Sequence, residues 1–259
     1  MDRIAETLPS LFGVLVLVAV TTLVLSLARV RPRWAPAVAV LRGVVQLAAI
    51  SLILTGVITS PFWVGVALLV MFSVAVVTST RRVEWSWRRL WLVAAGMGLG
   101  VGTVLAVVFL TGAIEFSPRY VLAIGGIVIG GAMSSATLTG RRLVQATRDR
   151  WPEVEAWLSL GATPRRATVE IARYAVAEAL VPSTDQTKTT GLVTLPGAFV
   201  GAIFGGIAPL EAGRFQIVVL AGIMTASAIA AALTAHALAP LSVGRGEPAP
   251  PHRLRNRSR

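Results

Sequence analysis

The chain has 259 residues, of which 55% are hydrophobic and 14% charged, and its mean hydropathy of +0.74 is too high for a soluble domain of this size. A formal charge of +12 raises nucleic acid as a partner. The arginines, however, fall between apolar blocks and at the tail rather than on a soluble basic face, so they read as topology signals and nucleic acid is excluded. Cysteine is absent, which excludes disulfides and thiolate metal sites.

Apolar stretches of about 20 residues match a hydrocarbon core of roughly 30 Å, and β-barrel strands would alternate instead. The first block is too long for a signal-peptide core, and its flank of Asp2, Arg3 and Glu6 is not basic, so no cleavable signal is expected. Seven spans are predicted in chain order, at about 8 to 28, 35 to 58, 61 to 80, 90 to 113, 119 to 139, 189 to 209 and 213 to 240. With the N-terminus outside, the inside segments hold Arg29, Arg31 and Arg33; Arg81, Arg82, Arg88 and Arg89; Arg141 through Lys188; and the tail arginines. Only Arg3, Arg119 and Arg214 stay outside, the asymmetry that the positive-inside rule requires. The expected fold is an all-α, polytopic membrane helix bundle with the C-terminus inside. It comprises one transmembrane domain over 1–243 and a basic cytoplasmic tail over 244–259.

Between spans five and six, residues 140–188 form a cytoplasmic segment with amphipathic helices. Trp151, Pro152, Glu153 and Glu155 mark a helix start, Gly161 a stop, and Thr163 with Pro164 a restart running to about Val181 before Pro182. Arg166, Glu170 and Arg173 share one face of that second helix, which is expected to lie against the membrane or the bundle. The run from Ser183 to Thr190 is strongly polar, and Asp185 and Lys188 are spaced to pair or to meet a substrate at the cytoplasmic mouth.

Small residues at helical spacing, Gly126 and Gly130 in the fifth span and Gly197, Gly201 and Gly205 in the sixth, predict close helix packing. Arg42 and Gln46, one turn apart on the second span, are polar groups in a membrane helix, with snorkelling to the headgroups as the plainer reading. His236, Met71, Met97, Met133 and Met224 read as packing residues, and no metal-ligand set is defined. The single lysine, Lys188, follows Thr187, so the chain holds no Gly-Lys-Ser/Thr phosphate loop. Without a phosphate loop or catalytic triad, the chain is expected to be a non-enzyme without a cofactor of its own.

From Glu155 to Pro164, and again from Leu180 through Pro182-Ser183-Thr184-Asp185-Gln186-Thr187-Lys188 to Gly197, the sequence closely resembles the FetB family of ABC transporter permeases. Arg42 with Gln46, Gly112 with Glu115, Phe116 and Pro118, and Gly130 with Met133 extend the match over most of the chain. Gly131 stands where that family commonly has Asn, Phe199 where Met is common, and Glu178 where Arg is common. The resemblance implies a permease of the bacterial inner membrane, a homodimer paired with a separate ATP-binding subunit that carries ATP and magnesium. It implies export of iron or another metal. Glu155, Leu160, Gly161, Ala162 and Thr163 are then the coupling residues. Arg42, Gln46, Glu115, Asp185 and Lys188 are expected as pathway or gating groups, because polar side chains near a membrane interior must repay their desolvation. A stand-alone channel or secondary transporter, a permease for another solute such as a nucleotide sugar, and a non-transporting scaffold are the competing readings.

Overall fold

A computed structural model describes residues 2–57 and 60–246, and every element in it is helical apart from one isolated bridge between Thr190 and Thr194. The chain forms two compact units, Met1–Thr59 and Ser60–Arg259. The first holds α1 (Asp2–Leu27) and α2 (Ala35–Val57), which pack on each other. The second holds α3 (Pro61–Val83), α4 (Trp87–Leu110), α5 (Pro118–Asp149), α6 (Trp151–Ser159), α7 (Pro164–Ala167), α8 (Val169–Thr189), α9 (Gly197–Phe204) and α10 (Pro209–Gly246). Among the described residues, five helices are long and apolar enough to cross a membrane: Pro9–Leu27, Pro61–Val83, Trp87–Leu110, Pro118–Asp149 and Pro209–Val243. Ala35–Ser51 is a shorter apolar helix. Their outward faces carry large apolar side chains such as Leu15, Leu69, Trp91 and Ile217, which lipid accommodates and water would not.

In the second unit α5 and α10 form the centre, with α4 and α8 each packed on both and α3 on α5. One core cluster joins Val93, Met97, Val101, Val104 and Val108 of α4 to Ile124, Val128 and Ala132 of α5 and Val219, Ala226 and Ala230 of α10. The α4 members recur every three or four residues, the spacing of a single buried helix face. Glycine brings α4 against α10: a Cβ on Gly100 would stand 2.8 Å from the Ala226 carbonyl oxygen, and one on Gly96 3.3 Å from the Leu233 Cβ. This Gly96/Gly100 pair is the small-xxx-small contact of the bundle. A side-chain hydrogen bond from Thr137 to Ser79 (3.0 Å) adds a polar link between α5 and α3.

A second cluster lies at the arginine-rich end of the bundle, where Val83, Leu143, Val154, Ala167, Ile171 and Leu238 pack together. Here α5 continues as unbroken helix ten residues beyond the expected end of the fifth span, to Asp149. The α3–α4 turn is fastened to it through Glu84, which accepts from Arg89 at 2.9 Å and from Arg148 at 3.2 Å. Arg89 is buried and also donates to the Val83 carbonyl at 3.3 Å. Glu84 itself has φ = 109°, a backbone region costly for any residue but glycine.

The expected sixth span over 189–209 is not a continuous helix. α8 ends at Thr189, Gly191 and Gly206 both take positive φ (88° and 89°), and between them α9 is only eight residues long. Pro196 immediately before α9 and the glycines around it break a segment whose hydropathy alone reads as a span. The second amphipathic helix also differs from expectation. It breaks at Thr168 after the single turn of α7, then runs through Pro182 to Thr189 rather than stopping near Val181. Residues 244–246, expected in the tail, belong to α10, and the tail beyond them lies outside the described residues.

Candidate functional site

Two features of the second unit concentrate polar and exposed groups. The first is the α6–α7 hairpin at the arginine-rich end. Pro152 stands in the first turn of α6, and Arg150 pairs with Glu153 in a two-point contact at 2.7 and 2.8 Å. That hydrogen bond holds the Glu153 carboxyl below its ordinary pKa and raises Arg150. Val154 is wholly buried in the second cluster and anchors the helix. Gly161, with φ = 83°, reverses the chain, and the Thr163 hydroxyl accepts from the Arg166 N–H at 3.4 Å to start α7. At the tip Leu160 is 82% exposed and Trp157 45%. Glu155 and Thr163 are exposed and Ala162 is half-buried beside them. The five coupling residues drawn from the sequence thus stand together on one short, capped hairpin.

The second feature is a cleft of about 330 Å³ between α5, α8 and α10. α8 runs antiparallel to both neighbours: Ile171 shares the second cluster with Leu143 and Leu238, whereas Ser183 and Gln186 line the cleft with Gly130, Gly131, Ser134 and Ser227. The Thr184 hydroxyl lies 4.0 Å from the Met224 sulfur. The polar run therefore stands level with the middle of the apolar stretches of α5 and α10, not ahead of a span. Ser227 is fully buried and its hydroxyl oxygen has no hydrogen-bond partner among the described residues. The Ser134 hydroxyl donates to the Gly130 carbonyl and that of Ser183 to the Leu180 carbonyl, both at 3.0 Å.

The polar residues expected to line or gate the pathway do not gather into one cluster. Arg42 and Gln46 are exposed on α2 of the first unit. Glu115 is exposed in the α4–α5 turn, and the twelve helical steps from Pro118 to Gly130 put the cleft roughly 18 Å farther along α5. Asp185 and Lys188 are exposed on α8 and form no ion pair with each other; the pair on this helix is Glu170 with Arg173 at 2.6 Å. Among the glycines, Gly126 meets the Met71 methyl (2.9 Å from an added Cβ), while Gly130 faces open space in the cleft. Gly197 and Gly201 have no heavy atom within 4 Å of an added Cβ, and Gly205 caps α9 against its own carbonyls. No heavy atom of the described residues therefore closes on this ridge at Gly197 or Gly201, although α9 itself packs on α10. Among the described residues no three His, Asp or Glu side chains converge as a metal site, and Met97 is buried in the core.

Sequence reasoning missed Ser134, Ser183 and Ser227 as a set. The available signals were hydroxyls on two apolar helices and Gly131, whose missing side chain leaves the space in front of Ser227: an added Cβ would stand 3.5 Å from its oxygen and 3.1 Å from Ile223.

The family profile described as "Uncharacterised protein family (UPF0014)" matches residues 8–240. The chain is 35% identical to the rice "UPF0014 membrane protein STAR2" over 200 residues, 76% of this chain and 70% of the relative. It is 34% identical to the Arabidopsis thaliana "Protein ALUMINUM SENSITIVE 3" over 195 residues, 74% and 71% of the two chains. A shorter match, 42% identity over 121 residues and 47% of each chain, relates it to the Escherichia coli "Probable iron export permease protein FetB". No solved structure matches it.

Proposed function

The chain belongs to the UPF0014 family of membrane proteins, and from that premise we propose that it is the membrane permease subunit of an ABC transporter, energised by a separate ATP-binding subunit and moving a metal cation outward. The observation that carries the reading is the α6–α7 hairpin. A nine-residue helix anchored by Val154 and tied at its start by Arg150 and Glu153 presents Leu160 and Trp157 to solvent at a reversing glycine. Exposed apolar groups on a rigid, capped element fit a cleft in a partner protein and can pass on a rigid-body displacement. Packing of Val154 with Leu143 and Leu238 connects that push to α5 and α10. The similarity to an iron export permease supports metal as cargo and export as direction.

In this reading α8 takes the place of 189–209 as the sixth crossing. Arg165, Arg166 and Arg173 then stay on the cytoplasmic side with Arg81, Arg82, Arg148 and Arg150, which keeps the arginines one-sided, while Lys188 in the last turn of α8 leaves that side. The exposed polar side chains of α8, Asp185, Gln186 and Lys188, face the pathway or a second copy of the permease, since lipid would leave them unsolvated. Arg42, Gln46 and Glu115 serve as entry or exit groups.

The reading is tested by co-expressing the chain with candidate ATP-binding subunits and measuring co-purification and ATP turnover for the native protein, Leu160→Asp and Glu155→Lys. Both substitutions are expected to lose the association while the permease stays folded and monodisperse. Native association with any ATP-binding subunit that is unchanged by Leu160→Asp would reject the hairpin as the docking element.

A further inference from the structure

The cleft between α5, α8 and α10 differs from an ordinary packing gap in its oxygen chemistry. The Ser134 and Ser183 protons are committed to backbone carbonyls within their own helices. Each hydroxyl oxygen is left with lone pairs, so toward the cleft it acts as an acceptor. The Gln186 amide adds another acceptor at the rim, and Ser227 lines the cleft with a buried hydroxyl that has no hydrogen-bond partner among the described residues. A buried polar atom without a partner is costly, and a ligand in front of it removes the cost. Gly131 keeps that space open, because any side chain there would crowd Ile223 and Ser227.

The residues lining the cleft include no acid, histidine or sulfur atom. A bare divalent ion would find no charge to replace its hydration, whereas an ion that keeps its water presents a shell of polarised O–H donors to these acceptors. Six waters at about 30 Å³ each make a body of about 180 Å³, which the cleft of about 330 Å³ holds with room for entry. We propose that this cleft is a cargo subsite for a hydrated divalent cation, held through its coordinated waters by Ser134, Ser183, Gln186 and Ser227. The inference rests on the metal-permease reading and adds the chemical form of the cargo. Such a site reads the charge and size of the aqua ion rather than ligand softness, so it separates first-row divalent ions poorly.

The test uses the permease purified with its ATP-binding subunit in nanodiscs of zwitterionic phospholipid, without nucleotide. Mn²⁺ binding is followed by electron paramagnetic resonance, with hexaamminecobalt(III) as competitor, an inert cation whose ammonia ligands can only donate hydrogen bonds. Hexaamminecobalt is expected to displace Mn²⁺. Ser227→Ala weakens Mn²⁺ about five- to tenfold, the range for one lost hydrogen bond, and Ser227→Thr restores binding to within about twofold. Gly131→Leu fills the cleft and removes both ions; because it also presses on Ile223, Ser227→Ala keeps the test valid should the larger residue disturb folding. Mn²⁺ binding that hexaamminecobalt does not displace and Ser227→Ala does not weaken overturns the subsite. So does the absence of any Mn²⁺ binding by an intact complex. Neither result touches the permease reading, which stands or falls on association with the ATP-binding subunit.

Discussion

Replacing Glu84 separates two opposing effects that the structure assigns to one residue. Its carboxylate receives the buried Arg89 guanidinium, whose side chain is 6% exposed against 32% for Glu84, and also the half-exposed Arg148. Breaking a fully buried pair by removing one partner costs about 3–5 kcal/mol. Here the acid is partly solvated and the Val83 carbonyl still accepts from Arg89, so Glu84→Ala is expected to cost about 2 kcal/mol. Glu84→Gly loses the same carboxylate but relieves the strain of φ = 109°, recovering roughly 1 kcal/mol. Arg148→Ala removes only an exposed contact and is expected to cost about 0.5 kcal/mol or less. Equilibrium unfolding in mixed micelles of rising SDS fraction, followed by Trp fluorescence, gives all three values on one scale. A Glu84→Gly variant less stable than Glu84→Ala, or an Arg148→Ala loss equal to that of Glu84→Ala, would refute the reasoning.

The same unfolding assay distinguishes glycines by their surroundings: Gly100→Ala drives a Cβ to 2.8 Å from the Ala226 carbonyl and is expected to cost about 1–3 kcal/mol, whereas Gly102→Ala enters open space and is expected to be neutral or stabilising by up to about 1 kcal/mol. Met97→Ala, which empties a fully buried position in the core, is expected to cost about 2–5 kcal/mol. The α6 tether has a pH signature. Because Glu153 titrates below its ordinary value when folded, its contact with Arg150 contributes at and above the ordinary carboxylate pKa and is lost as pH falls through the lowered value. Hydrogen exchange of the α6 amides should therefore be insensitive to this pair from pH 8 to about 5, and Glu153→Gln should loosen the helix throughout that range.

Where local chemistry decides the backbone, the sequence was a good guide. Pro152, Gly161, Thr163 and Pro164 each impose a conformation within a few residues, and the α6–α7 hairpin starts, reverses and restarts at those positions. Hydropathy failed where a helix packs on the bundle and carries a polar run on its outer face. α8 carries Ser183 to Lys188 level with the middle of α5 and α10, so it lacks the apolar average of a span, while Leu192 to Ile207 has that average and is broken by Gly191, Pro196 and Gly206. Glycine spacing alone did not point to the tight contact between α4 and α10. Gly197 and Gly201 have open space in front of them among the described residues, whereas Gly96 and Gly100, in a run with a glycine at every second position, bring α4 onto α10. The cleft was illegible because it depends on which hydroxyls three helices turn toward one another, and no period along a single helix records that.

The central claim is that nucleotide hydrolysis on a separate subunit drives cation movement through this chain. The most direct measurement reconstitutes the permease with its ATP-binding subunit in liposomes and follows Mn²⁺ transfer across the bilayer with ATP, with a non-hydrolysable analogue, and with no nucleotide. The account predicts transfer with ATP alone, abolished by Leu160→Asp in the α6–α7 tip. Transfer that proceeds at the same rate without nucleotide and is indifferent to Leu160→Asp would contradict it and make the chain a channel or secondary transporter.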